Sequence, residues 1–484
     1  MKKIYVYLSW ICLSLYLTNG FAQNSEHQKY KVNIKVNYPL NKPGDSLTMF
    51  FYPHESVRLQ QIAVVDKNGF CSFDLEQEYP FGFFTIDKFK VHKHNDNRGL
   101  VYQVYWEKGD NIFIHIKDNP TINDYETGTV FSGQGAEKYT LQYKLRKELN
   151  SIYEEVQTKN LISTDSLKYI EQLEARLTKV LNASKNRIAP FIYDVIKTDI
   201  LMTRYESKIE NLTYFKLEYA KGSKIRRMQL TDSIHKMFTT IKQFPVSAEG
   251  MAASKVFQKS IGGLYFATAL LNNNPPDLTA SLDNLDAYFP GIQKESILIS
   301  FLQKAGFTKD QKELYRIKKT ESTFPYNRLF DRFLQLNDRN VLGYTFLDTL
   351  GNKVDLRKYA GKYLLIDFWY IGCGGCGVYY LNTLSKIEEE FKNDDRFAVV
   401  SISSDPNFNK WKKSIPLNRY TNEQVINLNT GPAGFRHKFA EEIGINIYPF
   451  VLLVDPKGNI IEYNTNSIRT TTELLRKTLN KYLN

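Results

Sequence analysis

The stretch that decides the fold of the last part of this chain runs Lys362-Tyr-Leu-Leu-Ile-Asp367-Phe-Trp369-Tyr-Ile-Gly-Cys373-Gly-Gly-Cys376. Its apolar run, rich in Leu and Ile, predicts a buried strand. The strand ends at two cysteines spaced C-x-x-C, directly before a helical pattern. One thiol therefore lies at a helix N-terminus, where the dipole and the free backbone N–H groups favour a thiolate. A thiolate beside a second thiol is the reactive part of a disulfide exchange enzyme.

The N-terminus has the pattern of a secretory signal peptide. Lys2 and Lys3 provide the positive start, and residues 4–17 form an apolar stretch close to the length typical of such signals. Small residues before position 23 predict cleavage after Ala22, so that residues 1–22 are the predicted signal peptide. An uncleaved anchor is the alternative, although the apolar run is shorter than the ~20 residues of a membrane span. We expect an exported protein of the periplasm or cell envelope, soluble or membrane-associated.

The charge of the chain does not favour a nucleic-acid partner. The formal net charge is +12, and it falls by two when Lys2 and Lys3 are removed. The export signal argues against nucleic-acid binding, and the basic residues are spread among acidic ones. The densest basic cluster, residues 221–227, is more typical of a solvated helix junction than of a binding patch. We therefore expect no nucleic-acid partner.

Three regions follow the predicted signal peptide. Residues 23–133 contain short runs of alternating polar and apolar residues, which predict a β-rich, sandwich-like N-terminal domain. In residues 134–340 apolar residues recur every three or four positions between proline-containing breaks, which predicts an α-helical region. Residues 341–484 contain strand and helix patterns in alternation and predict an α/β domain.

The cysteine count favours a redox pair over a structural scaffold. The chain has four cysteines, and one of them, Cys12, lies in the predicted signal. The remaining three are too few for a fold held together by disulfides. Cys71 shares a strand face with Phe73 and Leu75, so we expect it to be a buried small hydrophobe.

Residues 341–484 resemble the thioredoxin-fold domain of the exported TlpA/ResA-like thiol–disulfide oxidoreductases. The matching pieces are Asp367-Phe-Trp369, Cys373-x-x-Cys376, Ser401-Ile-Ser-Ser-Asp405, Trp411 and Ile447-Tyr-Pro449-Phe-Val-Leu-Leu-Val-Asp455. The first 130 residues more loosely resemble the β-rich domain that precedes such domains in Bacteroidetes proteins. The resemblance implies a multidomain protein with a C-terminal α/β thioredoxin fold.

The resemblance also implies roles for three residues in catalysis. Cys373 would be the exposed nucleophile that attacks a client disulfide, and Cys376 the buried resolving thiol. Asp367 stands at the position of a buried acid in the family. Burial would raise its pKa and let it exchange a proton with Cys376. The alternative is that Asp367 is a structural polar residue satisfied by hydrogen bonds.

Three further residues are predicted to contribute to client binding. Trp369 is expected to pack under the active-site loop. Pro449 matches the cis-proline of the family, which faces the disulfide, and the backbone beside it would pair with an extended client. Tyr448 precedes this proline and is bulkier than the usual Thr or Val.

The sequence departs from the family pattern next to the cysteines. Gly374 and Gly375 form the spacer, whereas relatives usually carry a proline in its second position. Tyr379 and Leu381 stand where many relatives have Glu and Pro. A role of that Glu is therefore not transferred to this chain.

We interpret the chain as a thiol–disulfide oxidoreductase, with reduction of protein disulfides as the favoured direction. Its clients would be protein thiols and disulfides, and its electrons would come from a membrane thiol carrier. No nicotinamide or flavin motif is present, so we expect no cofactor. The alternatives are a redox-silent thioredoxin-like binding or scaffold protein, peroxidase chemistry, and a metal site formed by Cys373, Cys376 and His437, which has too few ligands for zinc.

Overall fold

The computed structural model describes residues 29–88, 98–117, 128–159, 166–212, 223–272, 285–308, 322–337, 339–445 and 447–484. The predicted signal peptide, residues 1–22, lies outside the described residues. The chain divides into two compact units, one comprising residues 1–49 and 61–139 and the other residues 50–60 and 140–484. The predicted boundaries near 133 and 340 stay predictions. No helix in the described ranges is long and apolar enough to cross a membrane.

The N-terminal region contains two four-stranded sheets. One has the strand order β4-β1-β7-β8 and the other β3-β2-β5-β6, and β1 and β7 run parallel. The strands are β1 (Tyr30–Asn37), β2 (Ser46–His54), β3 (Val57–Val64), β4 (Phe70–Gln77), β5 (Phe81–Lys88), β6 (Arg98–Glu107), β7 (Asn111–Ile116) and β8 (Thr129–Gln134). The predicted β-rich N-terminal region is confirmed.

Strand β4 illustrates how the alternating sequence produces these sheets. Cys71, Phe73 and Leu75 are buried on one face, and the residues between them are exposed. The Cys71 sulfur donates a hydrogen bond to the Ala63 oxygen at 3.2 Å, and burial raises the pKa of its thiol to about 11. Cys71 is a free, buried cysteine, as expected.

A helical region follows, as predicted. Its helices are held together by buried apolar side chains that recur at helical spacing, such as Leu230, Ile234 and Phe238. The described helices are α1 (Ala136–Lys159), α2 (Ser166–Asn182), α3 (Pro190–Asn211), α4 (Lys224–Lys242), α5 (Ala248–Ala253), α6 (Lys255–Asn272), α7 (Ile292–Ala305) and α8 (Tyr326–Asn337), and the short strand β9 (Phe307–Thr308) follows α7.

The C-terminal part contains one mixed sheet with helices on both faces. Its strands are β10 (Thr345–Leu347), β11 (Lys353–Asp355), β12 (Tyr363–Trp369), β13 (Phe397–Ser403), β14 (Ile426–Asn429), β15 (Phe450–Val454) and β16 (Ile460–Tyr463). Its helices are α9 (Gly374–Tyr379), α10 (Ser385–Phe391), α11 (Phe408–Ser414), α12 (Lys438–Ile443), α13 (Asn466–Arg469) and α14 (Thr472–Leu483), with a π-helical segment (Tyr380–Leu384) between α9 and α10.

Strand β12 is the centre of this sheet. It pairs parallel with β13 and antiparallel with β15, in the order β11-β10-β14-β13-β12-β15-β16-β9. Leu365 packs into a core with α9, α10 and α14, whereas Phe368 stacks on Phe439 of α12, with ring centroids 5.1 Å apart. The alternation of side chains along the strand thus buries both faces. The predicted thioredoxin fold is confirmed.

The last strand of this sheet comes from the helical region. Phe307 and Thr308 of β9 pair antiparallel with Tyr463 and Glu462 of β16. Gly306, at the end of α7, has φ +65°, and a Cβ there would lie 2.1 Å from the backbone oxygen of Tyr463. The close approach of the two chains therefore requires a residue without a side chain. Strand β9 covers an edge that would otherwise expose unpaired backbone groups.

We predict that Gly306→Ala lowers the free energy of unfolding by about 2 kcal/mol or more, because the new methyl group meets backbone atoms and the positive φ is strained. Gly343→Ala is the matched control, since a Cβ there meets no atom within 4 Å. Denaturant unfolding of both variants and the native protein measures the difference. Equal stability of the two variants would contradict the proposed close packing at Gly306.

Candidate active site

The two cysteines of the C-x-x-C motif form a disulfide at the start of α9. Their Cα atoms are 5.3 Å apart. Cys373 occupies the N-cap position, and its sulfur accepts a hydrogen bond from the backbone N–H of Cys376 at 3.1 Å. In the reduced protein the same N–H would stabilise a thiolate on Cys373. The geometry therefore favours Cys373 as the sulfur that carries the thiolate.

Cys376 is buried, as predicted, and Cys373 is more enclosed than the sequence suggested. Cys373 is 5% exposed and Cys376 1% exposed. They belong to a cluster with Trp369, Trp411 and Tyr420, against which Tyr448 also packs. Cys373 is the more accessible of the two, but it is less exposed than was expected of a nucleophile. Its neighbours Gly372 and Gly374 are exposed, so the backbone of the loop is the accessible part of the motif.

The loop before Cys373 is held by two side chains that sequence reasoning did not identify. The N–H of Ile371 donates to Asp405 Oδ2 at 2.8 Å, and the N–H of Gly372 donates to the Tyr420 hydroxyl at 3.0 Å. Gly372 has φ +99°, which favours glycine at this turn. Asp405 lies in one of the sequence segments that resemble the oxidoreductase family, whereas no local pattern pointed to Tyr420.

Trp369 supports this loop from inside the domain. It is fully buried, its indole N–H donates to Ser401 Oγ at 2.7 Å, and its ring stacks on Tyr420 with centroids 4.9 Å apart. The expectation that Trp369 packs under the loop is confirmed. Its assignment as a client contact is corrected, because a fully buried indole is not accessible to a client at the surface.

Asp367 lies in the middle of β12 on the same face as Leu365 and Trp369. These two neighbours pack against the helix that follows the cysteines, so Asp367 lies under that helix. It is 1% exposed, and its Oδ1 finds no hydrogen-bond partner among the described residues. Burial, with a smaller contribution from the charge of Glu388, raises the pKa of Asp367 well above its usual value. The alternative of a carboxylate fully satisfied by hydrogen bonds does not fit this geometry.

Glu388 on α10 is a second buried carboxyl group that sequence reasoning missed. It is 8% exposed and accepts a hydrogen bond from the Asn422 side chain at 2.6 Å. Asn422 also bonds the Tyr380 hydroxyl in the π-helical segment at 3.0 Å. Burial raises the pKa of Glu388 to about 8. An apolar neighbour at Ile387 was the only local signal for burial.

Pro449 and Tyr448 lie beside the disulfide. The Tyr448–Pro449 peptide bond is cis, as predicted. A Cβ on Gly375 would lie 3.5 Å from Pro449 Cδ and 3.8 Å from the backbone oxygen of Tyr448, so this proline faces the C-x-x-C spacer. The Tyr448 and Ser404 hydroxyls are hydrogen-bonded at 3.0 Å. Both residues thus lie next to the C-x-x-C spacer, and their predicted role in client binding stays a prediction.

The metal alternative gains no support from His437. Its Nε2 is bonded to the Thr345 carbonyl oxygen at 3.0 Å, its Nδ1 accepts from the Phe439 N–H, and its ring stacks on Phe346. Both ring nitrogens are thus engaged. Among the residues that the structure describes, no group of three or more His, Cys, Asp or Glu side chains is arranged to hold a metal ion.

The comparison with protein families agrees with this architecture. Residues 361–460 match the family model described as thioredoxin-like, and this range contains both cysteines, Asp367 and Pro449. These residues are therefore similar to the thioredoxin-like family. No curated protein matches the chain.

Three solved structures are similar to the thioredoxin-like part. A thiol:disulfide interchange protein from Bacteroides sp. is 30% identical over 28% of this chain and 84% of its own, with a TM-score of 0.24. The thioredoxin domain of a thiol-disulfide oxidoreductase from Bacteroides vulgatus is 28% identical over 29% of this chain and 93% of its own, with a TM-score of 0.25. A thiol-disulfide oxidoreductase from Bacteroides fragilis is 20% identical over 30% of this chain and 99% of its own, with a TM-score of 0.26.

We predict that Glu388 makes the stability of the thioredoxin-like domain depend on pH. Its pKa is about 8 in the folded protein and 4.5 without burial. The folded state therefore retains a proton that the unfolded chain loses, and stability falls as pH rises from about 4.5 to about 8. Glu388→Gln removes this contribution and should be the more stable protein at pH 8 and above, by up to a few kcal/mol.

Denaturant unfolding from pH 5 to pH 9 measures this difference. Glu389→Gln is the control, because Glu389 is the exposed neighbour on the same helix and pairs with Lys392 at the surface. We expect its effect to be small at every pH. A constant difference between Glu388→Gln and the native protein over the whole range would show that Glu388 is ionised in the folded state.

Proposed function

We propose that the protein is an exported thiol–disulfide oxidoreductase that reduces disulfides of client proteins through the Cys373–Cys376 pair. The observation that supports this function most directly is the hydrogen bond from the Cys376 N–H to Cys373 Sγ at the start of α9. It couples a redox-active pair to a group that stabilises the attacking thiolate. Export is inferred from the pattern of residues 1–22.

The first step is attack of the Cys373 thiolate on a client disulfide. A new sulfur–sulfur bond forms between Cys373 and one client sulfur, and the other client sulfur leaves as a thiolate. Cys376 then loses its proton and attacks Cys373. The Cys373–Cys376 disulfide forms, the second client sulfur leaves, and the client has gained two electrons.

Asp367 is proposed to accept the proton of Cys376. A buried carboxylate in an apolar environment is a strong base relative to one in water, because burial favours its protonated form. Its position beneath the helix that carries Cys376 supports this role. The negative charge thus moves from the carboxylate to the resolving sulfur, and Asp367 is left as a neutral carboxylic acid.

Return to the dithiol form requires a donor of two electrons. We propose a membrane thiol carrier as this donor, since an exported protein has no direct access to the cytoplasmic thiol pool. The donor thiol would attack the enzyme disulfide by the same chemistry. No additional cofactor is required for this exchange.

We predict that Cys376→Ser traps clients as a mixed disulfide on Cys373, because the resolving thiol is gone, while Cys373→Ser traps none. Non-reducing electrophoresis of the exported protein, followed by release with a thiol reductant, measures the trapped fraction. Cys71→Ala is the control and should behave as the native protein, since Cys71 is buried. Trapping by Cys373→Ser alone would reverse the two roles.

We predict that Asp367→Asn slows release of the client from the mixed disulfide by about a hundredfold or more near pH 7, the size of a lost acid–base step. The defect should shrink as pH rises, since the Cys376 thiol then ionises without help. Single-turnover release between pH 6 and pH 9.5 provides the profile. A defect of equal size at every pH would indicate that Asp367 acts only on the structure of the domain.

A further inference from the structure

A surface beside the disulfide combines three aromatic rings with residues from the N-terminal β2–β3 hairpin. The rings belong to Tyr370, Phe435 and Tyr448, and we call them the aromatic trio. Their centroids lie 5.3 Å apart for Tyr370 and Phe435, 5.3 Å for Tyr370 and Tyr448, and 5.6 Å for Phe435 and Tyr448. All three pairs are perpendicular, an arrangement that aromatic rings favour.

The aromatic trio is continuous with the redox centre. Tyr370 and Tyr448 pack against the cluster that contains both cysteines, and Tyr448 precedes Pro449. Phe435 extends this surface outward and is 41% exposed. A client whose disulfide reaches Cys373 must therefore place its neighbouring residues close to these rings.

The tip of the hairpin, residues 50–60, belongs to the compact unit that contains the redox site. It is anchored on the helical region by buried polar groups. The His54 ring is hydrogen-bonded to the Ser296 carbonyl oxygen at 3.0 Å, and the N–H of Glu55 donates to the Gln258 side chain at 2.8 Å. Burial lowers the pKa of His54 to about 3, so that the ring is neutral and this anchor does not change over the physiological pH range.

The hairpin reaches the thioredoxin-like domain through Gln60, whose side-chain amide donates to the Glu441 carboxylate on α12. Arg58 lies two residues earlier on β3 and therefore on the same face of the strand. It is exposed. Burial raises the pKa of Tyr448 and of Glu441, and Arg58 is close enough to both groups to oppose that increase.

The charges at this surface favour an acidic ligand. Arg58, Arg436 and the Glu442 carboxylate all act on Glu441, and Glu442 is itself paired with Arg339 and Lys438, so that four cations lie close to two carboxylates. Asp405, an acid that acts on Tyr448, is buried and accepts a hydrogen bond from the Ile371 N–H of the active-site loop. The surface thus has an apolar part, the aromatic trio, and an excess positive charge on its hairpin side.

We propose that the aromatic trio and Arg58 recognise clients that carry an aromatic residue and an acidic residue next to the disulfide-bonded cysteine. The proposal rests on the function proposed above and names the class of client. An aromatic side chain would pack on the exposed ring of Phe435, and a carboxylate would meet Arg58. The hairpin of the N-terminal region thereby selects the substrates of the C-terminal domain.

The test uses short peptides whose single cysteine forms a mixed disulfide with glutathione. The residues that flank the cysteine are varied in two pairs of peptides. One pair carries Glu or Lys on one side of the cysteine, and the other pair carries Phe or Ala on the other side. Pre-reduced full-length protein is mixed with each peptide, and release of glutathione and peptide thiol accompanies formation of the Cys373–Cys376 disulfide. The readout is the ratio of second-order rate constants within each pair of peptides.

The native protein should reduce the Glu peptide about two- to fivefold faster than the Lys peptide, the range provided by an exposed ion pair. Arg58→Glu should abolish or invert this ratio, whereas Arg58→Lys should keep it. Lys477→Glu is the matched control, since Lys477 is an exposed cation on α14, and its ratio should equal that of the native protein. Higher salt should reduce the preference of the native protein.

The native protein should also favour the Phe peptide over the Ala peptide by about two- to tenfold, as expected for contacts between aromatic rings. Phe435→Ala should reduce that ratio. Two results would overturn the proposal and leave the oxidoreductase function intact, provided that the peptides are reduced. One is a ratio of rate constants near one for the native protein, and the other is a ratio that Arg58→Glu and Phe435→Ala leave unchanged. Failure to reduce any peptide or oxidised glutathione would overturn both.

Discussion

Burial of strand β12 on both of its faces is the constraint on which the candidate active site depends. The strand is hydrogen-bonded on both edges by β13 and β15, and residues 364–369 are all buried. Its end is therefore fixed, and the loop that leaves it starts from a fixed point. Asp405 and Tyr420 then hold the N–H groups of that loop. The position of Cys373 follows from these contacts and not from the flexible Gly374-Gly375 spacer.

The same burial explains the unusual electrostatics beneath the cysteines. Asp367 and Glu388 place carboxyl groups in the core. Burying a carboxyl group costs more free energy than burying an apolar side chain in the same position. Each has an oxygen without a hydrogen-bond partner among the described residues. Their raised pKa values mean that protonation relieves part of this cost. A site that reduces stability in this way is expected where a proton has to be held and released.

The sequence was informative where chemistry is local. The strand, the C-x-x-C pair, the following helix and the cis proline at 449 all lie within short motifs, and the structure contains each of them. It was silent where residues distant in sequence meet. Tyr420 and Glu388 contribute through tertiary contacts that no spacing predicts. Trp369 was placed correctly under the loop, but burial by Tyr420 and Ser401 removes it from the client surface.

Strand β9 has a consequence for how this protein could be recombined or inherited in parts. The sheet that carries the disulfide is completed by Phe307 and Thr308, which precede the predicted start of the thioredoxin-like domain at residue 341. A gene fragment cut at that start would encode both cysteines, Asp367 and Pro449 but leave the last edge of the sheet open. Open edges pair with other chains. The thioredoxin-like domain and the helical region are thus expected to move through evolution together, as one unit of exchange.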